Sequence, residues 1–255
     1  ASELARLYTT LKDLVNSVDM LAFKTQPPES TDLAEVHVHF AGFIKALESV
    51  TQAMLGADAK PFASTKWWPE VLMRWRYHVC SLFSWGLLTQ DAAAEATMLL
   101  RSLGAATLVD PLASSGWQAR LLRDAGMQVL AYDSYSVRPV AWIDVCDVQD
   151  SRSLFSAGHG LDLDPHTSAL LLSWPPHSPE TVGQDLLVHW PGQFLVYLGE
   201  RCSGEDDCGV TGGQALLDLI AKDWESLCTI TIPRWPGFQD DLTVYRRRCQ
   251  SDATK

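Results

Sequence analysis

One stretch, residues 107–134 (TLVDPLASSGWQARLLRDAGMQVLAYDS), limits what this chain can fold into more than any other. Leu108 and Val109 form a short apolar run that ends at Asp110, and the turn PLASSG follows. Trp117, Leu121, Leu122 and Ala125 then recur at helical spacing, with Gly126 as the expected stop. A second apolar run, 129–132, ends in Asp133. Strand, tight turn, helix and strand in this order predict an α/β unit.

The two strand tips carry the chemistry. An acid at the tip of the second strand, about 20 residues past the turn, is where dinucleotide and related folds hold ribose hydroxyls. Asp133 is therefore a candidate cofactor ligand, and its alternative is a solvated strand-end acid. Glycines in the turn would let the backbone approach a cofactor and leave the helix N-terminus open to it. Here the spacing acid-x-Gly-x-Gly-x-Gly reads Asp110, Leu112, Ser114, Gly116, with glycine at the last position alone. Asp110 before Pro111 also reads as a turn starter.

Upstream, residues 1–104 read as helices throughout and form an expected helical N-terminal subdomain or cap; 105–255 form the Rossmann-like domain. Leu4, Leu7, Tyr8, Leu11, Leu14, Val15 and Val18 follow a 3.6-residue period. A second helix is expected from Asp32, which would cap it with Glu35 three residues on. A third runs over about 67–85, and Thr89 would cap a fourth. The tryptophans at 67, 68 and 75, interleaved with Arg74 and Arg76, read as core ahead of a stacking platform for bases.

Downstream, strands and helices alternate, which predicts a mainly parallel sheet with helices on both faces. The expected third strand is 141–148, the fully apolar fourth 168–174 and the fifth 194–199, with helices near 180–190 and 214–224. At the end, SLCTITIPRW and DLTVYRRR flank the turn PGFQDD, so the sheet is expected to finish in an antiparallel hairpin. The arginines of YRRR read as charges ending an edge strand.

Composition excludes some classes. A formal net charge of -11 does not support nucleic acid as a partner, because sequence-independent phosphate binding needs a basic surface. No apolar run approaches the ~18 residues of a membrane span, so a soluble, intracellular protein is the expectation. The six cysteines contain no C-x-x-C, which favours free thiols over a zinc site; Cys202 and Cys208 flank a loop and could pair under oxidation. The histidines show no metal-ligand spacing.

Taken together, the chain resembles the class I S-adenosylmethionine-dependent methyltransferases over about 106–248, and more narrowly a methyltransferase-like group with a WPP motif. The features that carry the resemblance are Trp85 before the first strand, GWQARLLRDAGMQVLAYD (116–133), WPP (174–176), YLGE (197–200), TG (211–212) and PRWPG (233–237). The C-terminal hairpin also fits, because this superfamily has a reversed seventh strand. The resemblance implies S-adenosyl-L-methionine as cofactor. Asp110, Ser114 and Gly116 would form the loop under its methionine part, Asp133 would take the ribose, and Asp147, or else Asp144, would sit near the adenine. Ser173, Trp174, Pro175 and Pro176 would line the methyl-transfer side, with His177 as a candidate general base.

Two departures shape the expectation. Leu112 and Ser114 stand where the family usually has glycine, with side chains expected to point into cofactor space, which keeps a second reading open. In that reading the fold is a pseudo-methyltransferase, a scaffold or assembly factor that meets protein partners through its N-terminal helices. In SWPPH, Trp174 takes the place of the polar residue that accepts a hydrogen bond from the target amine in amino-group methyltransferases, and an indole has no acceptor to offer.

Overall fold

The computed structural model describes residues 2–22, 27–29, 33–55, 68–135, 138, 140–155, 161–176, 181–201 and 211–249. Asp32, Trp67, His177, Cys202 and Cys208 lie outside the described residues.

Four helices come first: α1 (Ser2–Ala22), α2 (Ala34–Leu55), α3 (Trp68–Leu82) and α4 (Gln90–Ser102). Thr89 caps α4 as its position predicts, accepting from the Ala92 N–H at 3.3 Å. The apolar stripe of α1, Leu7, Leu11, Leu14 and Val18, is buried against Val36, Phe40, Phe43, Leu47 and Val50 of α2. Tyr8 departs from that stripe: it is largely exposed, with its ring 5.8 Å from that of Trp75.

The α/β part continues with β1 (Thr107–Asp110), α5 (Trp117–Asp124), β2 (Gln128–Asp133), β3 (Cys146–Asp147), a 3-10 turn (Ser151–Phe155), β4 (Ser168–Ser173), α6 (Thr181–His189), β5 (Phe194–Glu200), α7 (Gly213–Asp223), β6 (Trp224–Ile230) and β7 (Asp240–Arg247). The strands form one sheet of order β3-β2-β1-β4-β5-β7-β6. The first five are parallel, and β7 runs antiparallel to both β5 and β6. This is the predicted mainly parallel sheet closed by an antiparallel C-terminal hairpin.

Alternation along each strand divides the core between the two faces. Leu108, Ala169, Leu171, Phe194, Val196, Leu198 and Val244 join the side chains of α1, α2, α4 and α5 in one cluster. Their neighbours Val109, Leu170, Leu172, Leu195 and Tyr197 pack instead with α6 and α7. The N-terminal helices therefore share a continuous core with one face of the sheet.

Two expectations are corrected. Of the predicted strand 141–148, only Cys146 and Asp147 pair with β2, because Trp142 and Ile143 are drawn out of register into the core beside Trp117. The YRRR strand is not an edge either: β7 is paired on both sides, and β6 is the edge. Arg247 is held there by hydrogen bonds to the Trp190 and Gly192 carbonyls and by the Trp224 ring 4.5 Å from its guanidinium.

Candidate functional site

The sheet reverses its strand order between β1 and β4, and in open α/β sheets ligands bind outside the carboxyl ends of strands at such a switch point. Two groups of side chains meet that position, one on each side.

On the first side, β1 ends in Asp110 and β2 in Asp133. Asp110 is 1% exposed and accepts from the Leu112 N–H at 3.2 Å. Burial pushes its carboxyl up to about 7; the Leu112 hydrogen bond opposes that rise and the nearby Asp133 adds to it. Asp133 uses both oxygens on backbone: Oδ2 accepts from the Ser114 N–H and Oδ1 from the Tyr135 N–H, each at 2.6 Å.

Ser114 has φ of 51°, the left-handed region that disfavours side chains. Its backbone is fixed from both ends, since its carbonyl accepts from Arg138 Nε at 2.7 Å. Arg138 Nη2 reaches Asp147 Oδ1 at 2.7 Å. Asp133, Ser114, Arg138 and Asp147 thus form one hydrogen-bonded chain across the loop.

Gly116 opens α5 with φ of 80° and no side-chain cap. A Cβ here would lie 2.3 Å from Ile143 Cγ2, so glycine is required by both backbone and space. The Trp142 N–H closes the same segment by donating to the Ser115 carbonyl at 2.9 Å. Leu112 does not point over the loop as expected; it packs against the cluster of Val109, Leu170 and Leu172 beside α6 and α7.

Hydrogen bonds from Ser115 of this loop, Gln118 of α5 and Trp142 also hold the end of α3 and the α3–α4 connection. Ser115 Oγ donates to the Phe83 carbonyl, Gln118 Nε2 to that of Gly86 at 3.1 Å, and Trp142 Nε1 to that of Leu82 at 2.7 Å. These bonds place Trp85 at the second side of the site.

There, Ser173 ends β4, buried, and Trp174 follows with φ of 46°, a second strained non-glycine residue. Three hydrogen bonds hold the turn. The Trp174 N–H donates to the Leu198 carbonyl at 2.9 Å, its Nε1 to Asp240 Oδ2 at 3.0 Å, and the Gly212 N–H to the Pro175 carbonyl at 3.0 Å. Thr211 Oγ1 accepts from the Glu200 N–H at 2.7 Å, and Glu200 Oε1 from the Gln239 N–H at 2.9 Å. Trp85 stacks on Trp174 with centroids 5.8 Å apart and planes 20° apart. The Arg76 guanidinium lies 4.0 Å from the Phe238 ring, 4.6 Å from Trp174 and 5.0 Å from Trp85. Burial pushes the Asp240 carboxyl up to about 7, opposed by the Trp174 hydrogen bond.

Asp110, Ser114, Gly116, Asp133 and Asp147 accordingly gather on one side, and Ser173, Trp174 and Pro175 on the other. Arg76, Arg138, Phe238 and Asp240 are additions that spacing along the chain could not supply, since their partners come from distant segments. The one signal available was the turn PGFQDD, whose Asp240 starts β7 opposite Glu200.

No family model and no curated protein matches the chain. Solved structures similar to it include the O-methyltransferase from Bacillus cereus in complex with S-adenosylhomocysteine, at 10% identity over 80% of this chain and 100% of that one, with a TM-score of 0.46. Another is the Burkholderia thailandensis 1,6-didemethyltoxoflavin-N1-methyltransferase, with bound 1,6-didemethyltoxoflavin and S-adenosylhomocysteine, at 18% identity over 62% and 79%, with a TM-score of 0.41. A third is an rRNA methylase from Streptococcus thermophilus, at 12% identity over 60% and 94%, with a TM-score of 0.38. The strand order, with the reversed β7 between β5 and β6, is that of the Rossmann-like sheet that the methyltransferase resemblance implies. None of the described helices is long and apolar enough to cross a membrane.

Proposed function

We propose that the chain is an S-adenosylmethionine-dependent methyltransferase. The observation that carries this reading is the pairing, at the switch point, of the Asp110/Asp133 tips and the uncapped start of α5 with the strained Trp174 turn after β4.

The residues present fit such a cofactor. After accepting from Ser114 and Tyr135, each Asp133 oxygen keeps a lone pair that a ribose hydroxyl can use. With no side-chain cap on α5, its first-turn N–H groups favour a carboxylate. Asp147 stands at the tip of β3, exposed on one side and tied by Arg138 on the other, where it would meet the adenine. Bound here, S-adenosyl-L-methionine supplies an electrophilic methyl group. The chain's part is positioning: Ser173, Trp174 and Pro175 form the acceptor wall, and His177 would take the acceptor proton.

Calorimetric titration with S-adenosylmethionine and S-adenosylhomocysteine, with NAD as control, tests the reading. Micromolar binding of the first two, weakened at least tenfold in Asp147→Ala and lost in Asp133→Ala, is expected. Absence of heat at millimolar cofactor would overturn it and leave the fold as a scaffold.

A further inference from the structure

Three of the eight buried side-chain nitrogen and oxygen atoms that find no hydrogen-bond partner among the described residues, Arg76 Nε, Arg76 Nη2 and Asp240 Oδ1, belong to two side chains of opposite charge that share Trp174 as a neighbour and feel each other's charge. Arg76 is 4% exposed and Asp240 1%. Buried polar groups are normally paired, so these atoms call for a partner. Nε and Nη2 share one edge of the guanidinium and present two parallel N–H donors. The rings of Trp85, Trp174 and Phe238 lie within 5.0 Å of the guanidinium carbon, and the Nε/Nη2 edge keeps its donors. Asp240 binds the Trp174 indole through Oδ2 and keeps Oδ1. Trp174 has no acceptor of its own, and it carries one on its indole N–H.

We propose that the edge of Arg76 and Asp240 Oδ1 form a subsite for a planar carboxamide, whose C=O accepts from Arg76 and whose N–H donates to Asp240. A carboxylate brings acceptors only and meets the Asp240 anion; an amidinium brings donors only and meets Arg76. The amide satisfies both. The cluster lies beside Ser173 at the carboxyl end of β4, so the amide belongs to the methyl acceptor, and in that respect the inference rests on the methyltransferase reading. The three atoms are closed to solvent, so the amide enters by displacing a wall. Phe238 is the wall suited to this: it is half-buried and follows Gly237, which has φ of 86° and nothing within 4 Å of a Cβ position.

The test is calorimetry at pH 8 without cofactor, using benzamide, benzoate and benzamidine as probes. Benzamide is expected to bind at least tenfold tighter than either of the others, and Arg76→Lys to lose at least tenfold of that affinity. Asp240→Asn keeps an oxygen for Trp174 and turns an NH2 toward the ligand, so it is expected to reverse the preference in favour of benzoate. In the unaltered protein, benzamide affinity is expected to fall as pH drops from 8 to 6 and Asp240 protonates. The titratable and charged groups facing that carboxyl are Arg76 and Cys80 from α3, Tyr197 and Glu200 from β5 and Arg234 from the loop before β7. That profile serves if the Asn variant does not fold. Silence with benzamide up to millimolar, equal binding of the three probes, or a flat pH profile would overturn the subsite. A chain that binds benzamide but not S-adenosylmethionine keeps the subsite and loses the proposed activity; the converse removes the subsite alone.

Discussion

The Ser114 N–H donates to Asp133 Oδ2 at 2.6 Å, and this bond ties the turn after β1 to the tip of β2. A residue chosen by its position for ribose binding is also the clamp of the loop. Because Asp133 satisfies the Ser114 and Tyr135 N–H groups together, Asp133→Ala strands both. Urea unfolding is expected to show a loss of about 2–4 kcal/mol. A loss too small to measure would mean that the loop does not depend on this carboxylate.

Gly116 packs against Ile143, which leaves no room for a side chain at the start of α5. Gly116→Ala forces a left-handed alanine and a 2.3 Å contact, and is expected to cost about 2–4 kcal/mol. Adding Ile143→Ala removes the clash but not the backbone strain. The double variant should therefore lose less than the sum of the two single losses, and strict additivity in denaturant melts would show that the contact is not felt.

Asp110 and Asp240 are both pushed up to about 7 by burial. A carboxyl with a raised folded value binds its proton more tightly in the folded state. Its stabilising contribution is therefore full below about pH 4 and is lost as pH rises to about 7. Each raised carboxyl is worth up to about 4 kcal/mol across that window. Asp110→Asn is expected to flatten the fall in Tm between pH 5 and pH 8, and a slope identical to that of the unaltered chain would refute the assignment.

Cys80 sits on α3 beneath the Arg76 cluster, and burial pushes its thiol up to about 12 against the pull of Arg76. Cys146 and Cys249 are exposed free thiols. Alkylation of the native protein at pH 8, read by mass spectrometry, is expected to mark Cys146 and Cys249 within minutes and to spare Cys80 until the chain is unfolded. Early labelling of Cys80 would show that the α3 face opens.

The resemblance of residues 106–248 placed Asp110, Asp133 and Trp174 near one another without saying how they are held. Leu112 shows the limit of the spacing argument. At the first glycine position it looked like an obstacle, yet its side chain turns to the α6/α7 side and joins the core there. Residues 141–148 show another, since their apolar run reads equally as strand or core plug, and the pull of Trp117 and Phe83 on Trp142 decided for the plug.

What the sequence by itself determined is what can be read locally: the helical stripe of α1, the Thr89 cap, the fully apolar strand near 168–174, and the hairpin that ends the sheet. The stripe follows from a period of 3.6, the strand from an unbroken apolar run, and the cap and hairpin from local turn chemistry, all of which a short window contains. Only the tertiary structure decided that Arg76, Trp85, Trp174, Phe238 and Asp240 form one cluster, that Arg138 bridges Ser114 to Asp147, and that β7 lies inside the sheet. These contacts join segments far apart in the chain, where burial and electrostatics, which have no period along the sequence, choose the partner.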